Sequence, residues 1–231
     1  MNKTTIVAFL LLTSNIIYAN DPTPALVKIE SQWANIYYAQ KSSEQNNNYS
    51  ALLQDITHLL TQTPDSAELM IWQAIVISTN AAFENPFDAL RSIKKAKTIL
   101  ETVIQKKPNA LDGAAFVVLG TLYYMTPGWP ISFGNQHKAE EYLRTAIKIN
   151  PHGIDPNYFY ADYLLSKNEI EQASKFFELA LKAPSREDQA YADQQLKKEA
   201  MLALKNTQQR KLDSEKNKFW SLFSSAKLDY Q

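Results

Sequence analysis

Apolar residues recur along this chain three or four positions apart, in short sets that mostly end at a proline. Leu52, Ile56 and Leu59 precede Pro64. Met70, Ala74 and Ile77 are followed by Ala96, Leu100 and Val103 before Pro108. Leu119, Gly120 and Tyr123 lead to Ala139, Leu143 and Ala146 before Pro151. Tyr160, Ala161 and Leu164 lead to Ala173, Phe177 and Ala180 before Pro184. Such spacing puts each set on one face of an α-helix, and the pattern predicts an all-α chain of four helix pairs. The first pair is the least regular: a helix from about Pro24 to Gln40, then the asparagine-rich tract Ser42 to Asn48 read as a loop. A capping helix is expected over Arg186 to Leu204, where Tyr191, Leu196, Ala200 and Leu204 keep helical spacing.

The residue types inside each pair say how the helices meet. Ala161 is flanked by Tyr160 and Leu164, and Ala173, Phe177 and Ala180 answer from the second helix. Small residues admit close approach and the large ones fill the gaps, which is the spacing of a tetratricopeptide-like hairpin of about 34 residues. The preceding unit puts Gly120 in the small slot, where only tight packing offsets the roughly 1 kcal/mol cost of a mid-helix glycine. The expected architecture is a helical-hairpin solenoid over residues 20–205, closed by a polar-faced cap. A polar tail, 206–231, carries one apolar cluster from Phe219 to Phe223 that can dock back or join protomers.

Punctuation is specific. Asp155-Pro156 reads as an N-cap with proline at the first helical position, and Asn135 as the cap of the helix carrying Ala139. Two inter-helix segments look expanded, one through Asn85-Pro86-Phe87 and one through Pro127-Gly128-Trp129-Pro130. Loop entropy rises only about 0.6 kcal/mol per doubling of length, so such insertions are tolerated. Pro127-Gly128 suits a type II turn, with glycine at φ > 0.

The N-terminus reads as a cleavable secretory signal over residues 1–19. Lys3 precedes the apolar run Ile6 to Leu12, and Ile17-Tyr18-Ala19 offers a cleavage site. The run is shorter than the ~20 residues a bilayer span needs, so no stable span is expected after cleavage. There is no cysteine, which excludes disulfides and a lipid anchor built on a cysteine. These features point to the periplasm, with secretion as the alternative. Lysine plus arginine equal aspartate plus glutamate at 24 each, a balance that argues against a nucleic-acid partner.

Candidate binding residues lie in two places. The segment Tyr123 to Gly134 holds Trp129 and Phe133 on a stiff loop, either as an anchor for a partner or as a plug against neighbouring helices. In a repeat of this type the first helix of each pair lines the concave face. Counting one turn from the small residue puts Ile71, Ile75, Val117, Thr121, Tyr124, Tyr158 and Asp162 there. Tyrosines with a carboxylate suit an extended peptide or an amphipathic ligand, and the alternative is an extra helix filling the groove. Catalysis has no visible machinery. His58, His137 and His152 are scattered, no metal-ligand spacing occurs, and no phosphate cradle or nucleophile motif is present. No cofactor is expected.

The run Gly128-Trp129-Pro130-Ile131-Ser132-Phe133-Gly134, then Lys138-Ala139-Glu140 and Asn150-Pro151 through Tyr160, resembles a bacterial periplasmic tetratricopeptide family. That family includes the T component associated with tripartite ATP-independent periplasmic (TRAP) transporters, and the resemblance covers roughly residues 110 to 200. It implies a helical-repeat scaffold that engages another periplasmic protein, such as a transporter substrate-binding protein. The competing expectation is a carrier of a small hydrophobic or amphipathic ligand in a pocket near Trp129.

Overall fold

The computed structural model describes the backbone of residues 23–226 and the side chains of residues 24–209. The signal-type segment and the side chains of the Phe219 to Phe223 cluster lie outside the described residues. Among the described residues nine α-helices follow in order: α1 Thr23–Ala39, α2 Ser42–Gln62, α3 Ala67–Asn80, α4 Pro86–Lys106, α5 Ala114–Met125, α6 Gln136–Ile149, α7 Ile154–Ser166, α8 Ile170–Lys182 and α9 Ala190–Ala226. Short 3-10 turns precede α4 at Ala81–Phe83 and α5 at Ala110–Gly113. The architecture is all-helical and solenoid-like, as the spacing predicts.

Sequence character sorts the helices into two layers. Outer helices α4, α6 and α8 carry one narrow apolar stripe: Ala96, Leu100 and Val103; Ala139, Leu143 and Ala146; Ala173, Phe177 and Ala180. Helices α3, α5 and α7 are apolar on more sides, because each is packed between its own outer partner and the next repeat. Ala74, Ala161 and Ala173 are fully buried in one continuous core. A Cβ on Gly120 would lie 2.5 Å from Leu143 Cγ, which explains the glycine in α5.

The two ends of the array meet. Helix α1 packs on α2 and α3, the inner helices α3, α5, α7 and α9 follow one another, and α9 returns to touch α1. The inner layer is therefore closed, with α2, α4, α6 and α8 outside it. A smaller cluster around Ile29, Ile36, Tyr49, Ile56 and Trp72 holds the first pair. Ile154, Ala183 and Leu196 seat α9.

Several expectations need correction. Ser42 to Asn48 is the first two turns of α2, not a loop, so the α1–α2 connection is Gln40 and Lys41 alone. Gln45 Nε2 donates to the carbonyls of Ile36 (2.8 Å), Tyr37 (3.2 Å) and Gln40 (3.3 Å), and Asn48 donates to Gln40 at 2.6 Å. The Gln45 amide thus caps the end of α1 from within a helix, while Asn48 holds the Gln40 side chain at its Oε1. The segment between α3 and α4 ends at Asn85, which caps α4 through the Phe87 and Asp88 N–H groups, so Pro86 and Phe87 already belong to that helix. Helix α7 begins two residues early, with Gly153 as its N-cap, so Asp155 and Pro156 sit inside the first turn. Gly128 does not adopt positive φ, and the expected type II turn is absent. Asn135 caps α6 as read, accepting from Lys138 N at 2.9 Å. Helices α4, α6 and α8 end just before Pro108, Pro151 and Pro184.

Candidate functional site

The Thr126 to Asn135 loop is pinned by its backbone. Gly134 N donates to Pro127 O at 3.0 Å and Asn135 N to Tyr123 O at 2.9 Å. A Cβ on Gly134 would stand 1.9 Å from Thr126 O, so only glycine allows that approach. Phe133 is the residue that fastens the loop. Its ring meets Tyr123 edge-on at 5.2 Å, and Lys97 Nζ lies 5.6 Å from its centre. Trp129 is 89% exposed and seals nothing, and its neighbours Met125 and Ile131 are also exposed. Of the two alternatives for this loop, the plug is supplied by Phe133 and not by Trp129.

The inner face brings together a different set. Tyr124 donates to Asp162 Oδ2, and Tyr158 donates to Glu199 Oε2 at 3.4 Å. Tyr37 and Tyr38 of α1 lie close enough to Glu199 for its charge to act on both phenols, and Tyr38 also feels Asp155 and Tyr158. Tyr38 meets Tyr191 of α9 edge-on at 6.3 Å, and Trp33 stacks on Tyr37 at 5.1 Å. Four tyrosines and two carboxylates from α1, α5, α7 and α9 thus form one continuous patch.

Its electrostatics follow from burial. Desolvation pushes the phenols of Tyr38, Tyr124 and Tyr158 above their ordinary range, and the nearby carboxylates add to the shift. Glu199 is also raised by burial, tempered by the Tyr158 hydroxyl. The phenols are therefore neutral donors at physiological pH. None of the ion pairs among the described residues involves Asp162 or Glu199.

Of the residues read from the sequence, Tyr124, Tyr158 and Asp162 converge in this patch. Ile71 and Val117 are buried, Ile71 with no exposed surface, so neither reaches a partner. Ile75 packs between the two main clusters, and Thr121 spends its hydroxyl on Val117 O at 2.9 Å. Sequence reasoning missed Tyr37, Tyr38 and Glu199, which belong to the two helices least like the repeat. The one available signal is the aromatic set Trp33, Tyr37 and Tyr38 near the end of α1.

A second polar cluster joins the start of α7 to the start of α9. Arg186 holds Asp193, wholly buried, at 2.5 Å and Asp155 at 2.9 Å. Asp193 Oδ2 also accepts the Arg186 backbone N–H at 2.7 Å. Asn157, at the start of α7, is structural. Its amide donates to Pro151 O at 3.0 Å and Gly153 O at 2.8 Å, fixing the turn into that helix. Among the described residues no group of three or more His, Asp or Glu side chains is arranged to hold a metal. No helix there is long and apolar enough to cross a membrane.

Residues 131–152 match the tetratricopeptide repeat. The match spans the end of the loop, all of α6 and the turn after it, within the helix pair that carries Gly120 and Leu143. No curated protein matches the chain. The repeat therefore supports the hairpin reading in the pair where Gly120 meets Leu143, and interaction scaffolding is the general role of such repeats.

Proposed function

We propose that this chain is a non-catalytic adaptor that binds another protein on its inner face, through Tyr37, Tyr38, Tyr124, Tyr158, Asp162 and Glu199. The convergence of these six side chains from four helices carries the reading. They remain partly accessible, with Tyr37 44% exposed, and among the described residues the two carboxylates accept hydrogen bonds from phenol hydroxyls. The tetratricopeptide match supports a protein partner over a small substrate. A hydrophobic ligand walled by Trp129 draws no support from a side chain that stands in solvent.

The finer reading is an exported, periplasmic adaptor associated with a transporter, its partner a substrate-binding protein. Its support is the signal-type segment of residues 1–19 and the resemblance of the Trp129 to Tyr160 run. The test is site-specific photo-crosslinking in native cells, with the crosslinker placed at Tyr37 or at exposed Glu178 on outer helix α8. A discrete protein adduct from position 37 and none from 178 is expected. Equal labelling at both positions, or none at 37, would reject the inner face.

A further inference from the structure

Carboxylates elsewhere in this chain show what completes such a patch. Glu101 pairs with Lys97 at 2.7 Å while that ammonium lies 6.0 Å from the Tyr123 ring centre and 5.6 Å from that of Phe133. Glu140 pairs with Arg144 at 2.9 Å and Lys167 at 3.6 Å, and those cations sit 5.4 Å over Tyr160 and Tyr163 respectively. In each case a cation, a tyrosine face and a carboxylate form a triad, combining ion pairing with attraction to the ring quadrupole. The inner face carries the tyrosines and carboxylates of the same triads, Tyr124 with Asp162 and Tyr158 with Glu199. Among the described residues no cation is paired with either acid.

Resting on the adaptor reading, we propose that the partner supplies the missing cation: the inner face takes an extended segment bearing lysine or arginine, seated among Tyr37, Tyr38, Tyr124 and Tyr158 against Asp162 and Glu199. Charge complementarity decides the occupant. Burial already resists the ionised form of Glu199, and an incoming cation relieves that cost, whereas an acidic or phosphorylated segment increases it. A purely apolar segment would leave the carboxylates desolvated without compensation.

The experiment uses the full chain and three fluorescent peptides: alternating lysine and glycine, the glutamate counterpart, and the glutamine counterpart. Anisotropy at low salt is expected to show binding of the lysine peptide alone, weakening as salt is added. Affinity should fall by about tenfold or more in the Asp162→Asn, Glu199→Gln double variant. The exposed Glu178→Gln control should bind as the parent does. Both amides keep an acceptor oxygen for Tyr124 and Tyr158, and unchanged thermal melts establish that the fold persists. Should the glutamine or glutamate peptide bind equally well, or the double variant keep full affinity for lysine, the cation assignment is overturned. The crosslinking test then stands separately, because it reports whether the inner face is used whatever the charge of the partner.

Discussion

Glu30 of α1 has 5% of its surface exposed, with Trp72 Nε1 of α3 donating to its Oε1 at 3.2 Å and its Oε2 without a hydrogen bond. Across the seam it faces Asp188, Arg186 and Gln189. Burial first, then Asp188, raise its pKa to about 7, against smaller opposing contributions from Trp72, Arg186 and Gln189. The raised carboxyl holds its proton more tightly folded than unfolded. Its contribution to stability is therefore full below the ordinary value near 4.5 and lost as pH rises through about 7. Glu30→Gln should be more stable than the parent at pH 8 by about 3 kcal/mol, the gap shrinking to under about 1 kcal/mol by pH 5. Urea unfolding at the two pH values measures it, and an equal gap at both would sink the account. Local composition marks no feature of Glu30 as special, since its neighbours come from α3 and the approach to α9.

At the scale of elements, the loop between α5 and α6 separates two aromatic roles that look alike in sequence. Phe133 touches Tyr123 and Lys97, so Phe133→Ala should cost about 2–3 kcal/mol, below the range for a fully buried ring. Trp129→Ala should stay within about 0.5 kcal/mol of the parent, as exposed positions do. Paired denaturation curves decide it, and a large loss at Trp129 would contradict the loop geometry. The α1–α2 connection is the converse lesson. Serine and asparagine favour turns when judged locally, yet this tract is helical: Gln45 satisfies carbonyls at the end of α1 and Asn48 holds the Gln40 side chain. The need to cap the preceding helix overrode local preference. The stripes of α4, α6 and α8 were legible because a single apolar face suffices to dictate an outer helix.

For the whole molecule, the meeting of α1 with α9 turns an open stack into a closed inner layer. Tyr38 is central to that seam, lying edge-on to Tyr191, Tyr37 and Trp33. Tyr38→Ala should loosen the seam. Hydrogen exchange is expected to rise in α1 while α5 to α8 stay protected, and small-angle scattering should show an expanded particle. Unchanged exchange in α1 would mean that α2 and α3 alone hold it. Spacing of small and large residues determined by itself that the chain pairs its helices and which face of each is apolar, because those facts depend on neighbours three and four positions away. Tertiary structure alone decided that α1 closes on α9, that Ile71 and Val117 are core, and that Glu199, Tyr37 and Tyr38 complete the patch. Glu199 lies 41 positions from Tyr158 and more than a hundred from Tyr37 and Tyr38, and local periodicity contains no term for which distant helix will arrive.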